Sequence, residues 1–282
     1  MAYANEYGSG INLDALVVPT QAATVFAAQE NSLYLPGLII PSVSVAAGSA
    51  SAQVAVMGSV DATVVTNNGD GTQEIEADFA STLPTNTKKS INLDLIAART
   101  VLRDLGGIDP SEMGRVMGNA IAAEVDKQVS VAIGTGLGTA VAPSSDLLTD
   151  LYDAIGTIRA NGETGALNCI VAATSYKDFM EKIGSSAFAG GETQNAAMRT
   201  GFIGMIAGVP CYVSSHFDAG NTGLTTPNFA VFSQDALRMA MQGGVNLEVE
   251  RRAAAVGNDI VASAAFGVSV LDASRGVVVG TA

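Results

Sequence analysis

Met113, Met117, Ile121, Val125, Val129 and Ile133 recur at every fourth position. On a helix of 3.6 residues per turn such residues form one slowly drifting stripe. The spacing predicts a single long helix over 109–134. Its start is marked by Asp109 as a cap, Pro110 at the first helical position and Glu112 completing a capping-box pattern. About 24 residues at ~1.5 Å each give roughly 36 Å of rod. Gly134, Gly136 and Gly138 are expected to end it.

The flanking sequence reads mainly as strand. Residues 1–30 form an extended or partly helical arm. Pro36 and Pro41 bracket a short strand-like unit, Gly37 to Ile40. From Val43 to Val65, Val alternates with small residues, a period-two pattern. Asn67-Asn68-Gly69-Asp70-Gly71 is a turn signal, because Asn and Gly accept positive φ. Alternation resumes over Glu74 to Phe79, which predicts a long β-hairpin. A lone hairpin is marginal in water, so this one is expected to lie on another subunit.

An α/β segment follows the long helix. Ser145 is expected to cap a helix carrying Leu147, Leu148, Leu151, Ile155 and Ile158, which Asn161-Gly162 stops. Asn168–Ala172 reads as a buried strand, Ser175–Ile183 as a helix ended by Gly184, and Gly208–Ser214 and Phe229–Phe232 as strands. The tail is nearly all strand, over 245–252, 260–270 and 277–279. A β layer after an α/β insert implies that two distant segments close one domain. No repeat of 20–50 residues is present, which argues against a solenoid.

The formal net charge is −13, so the chain is not built to wrap phosphate backbones, and any nucleic-acid contact should be weak and sequence-blind. Residues 1–87 contain no Lys or Arg, whereas Glu74, Glu76 and Asp78 cluster near their end. Lys88 and Lys89 are the first basic residues. This asymmetry suggests an acidic arm seeking a basic surface on a neighbouring copy. The candidate contacts are Glu74, Glu76, Asp78, Lys88, Lys89, Arg251 and Arg252. A mean hydropathy of +0.32 suits a protein that covers its surface with copies of itself. No secretion signal stands at the start and no run of about 18 apolar residues occurs, so export and a membrane span are not expected.

No catalytic constellation emerges. His216, the only histidine, sits in Ser214-Ser215-His216-Phe217-Asp218, but adjacent side chains rarely converge and no nucleophile elbow is near. Gly134-Thr135-Gly136-Leu137-Gly138 follows a helix instead of a strand and lacks a P-loop Lys, so it reads as a helix stop and hinge. Asn68, Asp70 and Glu76 fail calcium-loop spacing, because the twelfth position falls on Ala77. Cys169 and Cys211 are expected to be reduced and buried in strands. One His and two separated Cys make a zinc site improbable, and no cofactor is expected. Glu248, Glu250, Arg251 and Arg252 are expected to alternate along a strand, giving each face mixed charge.

The order of arm, long hairpin, long helix, α/β insert and C-terminal β layer resembles the HK97-like major capsid proteins of tailed bacteriophages and the related encapsulin shells. Ala120-Ile-Ala-Ala-Glu-Val-Asp126 resembles the family's spine helix, and Thr200–Ser215 its A-domain stretch. Asp259–Val279 resembles its C-terminal strands. The resemblance implies an α+β HK97-like fold with an N-arm at 1–30 and an E-loop at 31–88. The P-domain would comprise 89–142 and 240–282, and the A-domain 143–239. A-domains would meet at capsomer centres, and the E-loop would lie over the neighbour's P-domain. The implied partners are copies of itself in hexamers and pentamers, a separate scaffolding protein, a portal, a cement or decoration protein, and weakly held packaged DNA. The implied location is the virion capsid, assembled in the host bacterial cytoplasm. Some family members cross-link through an E-loop lysine, and residues 31–87 contain none, so a noncovalent shell is expected. Hinges are expected at Gly134, Gly136 and Gly138 and at Gly243-Gly244. The alternatives are an encapsulin-like nanocompartment shell and, from other classes, a small α/β enzyme or a surface-layer protein.

Overall fold

The computed structural model describes residues 11–58, 86–103, 110–138, 141–185, 202–252 and 257–281. They fall in two compact units, 1–52 with 91–282, and 53–90. The described part of the smaller unit carries most of strands β2 (Ser51–Met57) and β3 (Asn86–Asn92), which pair as a two-stranded sheet. The expected turn at 67–71 and the acidic residues Glu74, Glu76 and Asp78 lie outside the described residues.

The larger unit begins with α1 (Ile11–Asn31) and a three-residue strand, β1 (Ser42–Ser44). The expected continuous strand from Val43 is thus broken. A turn with Gly48 at φ +88° separates β1 from β2, and β1 instead runs parallel to β9 (Leu237–Arg252), with Ser42 opposite Met239. Gly37 to Ile40 is not a strand. Gly37 adopts φ +71° and its N–H donates to the Tyr34 carbonyl at 2.9 Å. Side chains satisfy the carbonyls there, with Gln234 donating to Leu38 and Asn168 to Ile39, each at 3.1 Å. Ile39 and Ile40 are thereby buried without a ladder.

Two strands without strong local signal complete the sheets, β4 (Asp94–Arg103) and β6 (Phe202–Ile206). A four-stranded sheet has the order β1-β9-β10-β4, where β10 is Gly257–Val270. Strand β10 runs antiparallel to both long neighbours, pairing Gly257 with Arg103 and Arg252. Its residues Ile260, Ala262, Ala264 and Phe266 are buried, while Val261, Ser263 and Ala265 are only partly covered. The buried row faces α2 (Pro110–Gly136), whose six-residue apolar stripe is wholly buried in the same core. Two distant segments therefore do close one layer.

The long helix begins at Pro110, the expected first helical position, and runs two residues beyond Gly134; the expected cap Asp109 lies outside the described residues. A Cβ at Gly134 would collide with Thr222, and one at Gly136 would stand 2.6 Å from Val270 Cγ2. Those close packings hold the last turn helical despite the low helix propensity of Gly. Helix α1 packs across α2 at Gly114 and Gly118. A Cβ there would meet the carbonyls of Thr20 and Thr24, so the two backbones touch directly.

The second sheet has the order β11-β8-β5-β7-β6, with β5 (Leu167–Ala172), β7 (Val209–Ser214), β8 (Thr226–Ser233) and β11 (Gly276–Thr281). Every residue of β5 is buried, as expected for a central strand covered on both faces. Cys169 and Val171 pack toward α3 (Leu147–Ala160) and α4 (Tyr176–Ser185), while Ile170 and Ala172 join the core of α2. The cap of α3 is Asp146 rather than Ser145, because its carboxylate accepts the Leu148 N–H at 3.2 Å. Helix α4 continues through Gly184 to Ser185. The expectation that 240–282 lies in one layer is corrected for the last strand. β11 pairs antiparallel with β8, Val277 opposite Val231, and so belongs to the sheet of the insert.

Candidate assembly surface

Strand alternation sorts the four-stranded sheet into a core face and an outer face. The outer face takes Leu95, Ala97, Arg99 and Val101 from β4 and Asp259, Val261, Ser263 and Ala265 from β10. From β9 it takes Glu248, Glu250 and Arg252. The expected even mixing of charge is therefore corrected. Residues 248, 250 and 252 share one face because a strand has period two, and Arg251 points to the other.

Asp259 organises this face. Arg99 donates to it through Nε at 2.9 and 3.0 Å and through Nη2, a two-pronged carboxylate contact. Arg252 Nη1 approaches the same carboxylate at 3.8 Å. The Arg99 hydrogen bonds, then the charges of Arg99 and Arg252, hold the Asp259 carboxyl below its usual range against some desolvation. Arg99 keeps most of its surface in solvent, so the pair defines geometry and charge more than it stabilises the fold. Four residues along β4 from Arg99, Leu95 is 73% exposed, next to a groove bordered by Val45, Gln242, Gly243 and Ala265. Phe26 on α1 at 68% and Leu38 at 74% are also bare. Large apolar side chains this exposed suit a surface covered by other copies.

The remaining expected contacts are placed as follows. Lys88 and Lys89 are exposed on β3 in the smaller unit. Arg251 and Arg252 are exposed at the end of β9. Of the expected hinge glycines, Gly134 and Gly136 lie inside α2, and the Gly138 N–H donates to the Ala273 carbonyl at 3.2 Å. Gly243 adopts φ +66° where the β9–β10 register shifts, and Gly243 and Gly244 border open space. Sequence reasoning missed Arg99 and Asp259. They stand 160 positions apart, and no local pattern marks either one.

The residues that tempted a catalytic reading have structural work. The His216 N–H donates to Ser214 Oγ at 3.2 Å, and the His216 carbonyl accepts from Asn221 Nδ2 at 3.0 Å. Asp218 caps the short helix α5 (Ala219–Thr222) by accepting the Asn221 N–H at 3.0 Å. Cys169 and Cys211 are free, buried and directly opposite on β5 and β7. Burial, then Cys211, pushes the Cys169 thiol well up. No group of three or more His, Cys, Asp or Glu among the described residues could hold a metal ion. No helix among them is long and apolar enough to cross a membrane.

No family model and no curated protein sequence matches the chain. Solved structures do. A capsid chain of cyanophage P-SCSP1u aligns over 90% of this chain and 89% of its own, with a TM-score of 0.64 and 17% identity. A chain of Mycobacterium phage Che8 aligns over 82% and 84%, with a TM-score of 0.60 and 18% identity. A virus-like particle from Pyrococcus furiosus aligns over 93% and 98%, with a TM-score of 0.64 and 12% identity. The fold is that of the HK97-like capsid proteins. The likeness spans nearly the whole length on both sides, so the HK97-like fold accounts for the chain as one piece.

Proposed function

We propose that this chain is the major capsid protein of a tailed bacteriophage, a structural subunit without catalytic activity. It assembles as hexamers and pentamers into an icosahedral head that encloses double-stranded DNA. The observation that carries this reading is the HK97-like fold over nearly the full chain, shared with phage capsid chains at TM-scores of 0.60 to 0.64. The organised outer face of the four-stranded sheet supports it.

In this reading α2 is the spine of the P-domain, which takes 89–142 and 240–275. The A-domain takes 143–239 and the final strand, a boundary supported by the pairing of β11 with β8. The E-loop of one subunit lies over the outer face of the next, and its Glu74, Glu76 and Asp78 meet Arg99 and Arg252. Such rim charges set register and rate of association more than affinity. With no lysine in 31–87, the shell is held by noncovalent contacts. Gly243-Gly244 lets the end of the sheet bend as the shell changes shape. Scaffolding, portal and cement functions belong to separate proteins, and contact with packaged DNA is weak because the chain is acidic.

Negative-stain microscopy of the expressed protein tests the proposal. Closed icosahedral particles are expected, and a stable monomer at high concentration overturns it. DNA inside particles purified from infected cells separates a phage head from a protein-filled nanocompartment.

A further inference from the structure

Asp126 lies on α2 among the residues of the apolar stripe, yet it is only 5% exposed. A carboxylate so placed needs donors. The turn that ends α1 supplies them. Ser32 Oγ donates to Oδ1 at 2.6 Å and the Leu33 N–H donates to Oδ2 at 3.1 Å. Ser32 Oγ in turn accepts the N–H groups of Tyr34 at 3.3 Å and Leu35 at 3.1 Å. One carboxylate thus organises the whole turn. Just beyond it Tyr34, Ile39 and Ile40 are buried in the core of α2. Asn31, the last residue of α1, donates to Asn119 Oδ1 on α2 at 2.7 Å.

Titratable groups face Asp126 from two further elements. His216 comes from the loop after β7, and Tyr34 from the linker itself. The Tyr34 hydroxyl is buried beside Ser130 and Ser214 without a hydrogen bond of good geometry to either. On α2, Glu124 and Lys127 pair with each other at 3.6 Å on the solvent side.

We propose that Asp126 and the Ser32–Leu33 turn form a proton-operated clamp, tighter at low pH and looser as pH rises, that sets how firmly α1 and the following linker sit on α2. The direction follows from burial. Desolvation pushes the Asp126 carboxyl above its usual range, and the donors and His216 offset this only in part. The docked turn therefore binds the proton more tightly than an undocked turn, whose carboxyl is in water. By linkage the docked state is favoured below the ordinary carboxylate value, and that preference is lost as pH rises through the raised one.

Hydrogen–deuterium exchange of the full chain, read on peptides covering 28–41 between pH 4.5 and 8 and corrected for intrinsic chemistry, tests this. Protection in the native protein should fall as pH rises, by up to about tenfold per pH unit while the proton is lost. Asp126→Asn carries no titrating group there and should give a nearly flat profile. Ser32→Ala removes a donor that favours the charged form, so the fall in its profile should extend to higher pH than in the native chain. A flat native profile overturns the clamp, as does an Asp126→Asn profile that follows the native one. If Asp126→Asn does not fold, Ser32→Ala decides, and a fall over the same pH range as in the native chain overturns the proposal.

Discussion

Gly118→Ala and Gly156→Ala are the same chemical change on two helices, and the structure assigns a gain in stability to the second alone. Exchanging Gly for Ala inside an exposed helix is favourable by about 1 kcal/mol, from backbone entropy. At Gly156 on α3 an added Cβ meets nothing within 4 Å, so the whole gain should appear. At Gly118 on α2 the Cβ would stand 2.8 Å from the Ala27 Cβ and 3.0 Å from the Ala28 N, and nearer still to the Thr24 carbonyl. Every close neighbour is backbone or a Cβ, so no flexible side chain can step aside. Helix α1 must move outward, and overpacking of this kind costs about 1–3 kcal/mol. Gly118→Ala should therefore be neutral to about 2 kcal/mol destabilising once the ~1 kcal/mol propensity gain is subtracted. Gly114→Ala, whose Cβ would meet the Thr20 carbonyl and stand 2.9 Å from the Ala23 Cβ, should add to the effect. Urea unfolding of unassembled subunits, followed by far-ultraviolet circular dichroism, measures all three. A Gly118→Ala chain as stabilised as Gly156→Ala would show that α1 and α2 do not pack backbone to backbone.

Ile121→Ala empties a position only 1% exposed at the centre of the α2 stripe, and should cost about 2–5 kcal/mol in the same urea assay. Arg99→Ala should lower the subunit's melting temperature slightly at neutral pH while lowering particle yield in an assembly assay. Because Arg99 holds the Asp259 carboxyl below its usual range, the stability it adds is present above the ordinary carboxylate value and lost as pH falls through the lowered one. The native chain should thus lose stability more steeply than Arg99→Ala on strong acidification, which pH-dependent melting checks. Reversing Glu74 and Glu76 together to Lys should leave circular dichroism unchanged and abolish closed particles by electron microscopy; normal shells would exclude these two carboxylates from assembly.

Parts of this protein are local, and those were legible. The α2 stripe has period four and its start carries Pro110 and Glu112, so the helix is written in one stretch of chain. Strands β5, β7, β8 and β10 announce themselves by runs or alternation of apolar residues, and the order of elements was enough to suggest the fold. What the sequence by itself could not determine is which surface meets which. Gly134 looked like a stop, and only Thr222, nearly ninety positions away, explains why a helix continues through a glycine. Strand β11 reads as part of the C-terminal layer, and its partner β8 places it in the other sheet. Asp126 is one residue among others in the long helix, and its burial depends on a turn 94 positions earlier. Arg99 and Asp259 meet only because β4 and β10 pair in one register. Helix period and strand alternation are properties of neighbouring residues, whereas register, burial and ion pairing arise from contacts between segments far apart in the chain, and those exist only once the tertiary structure has formed.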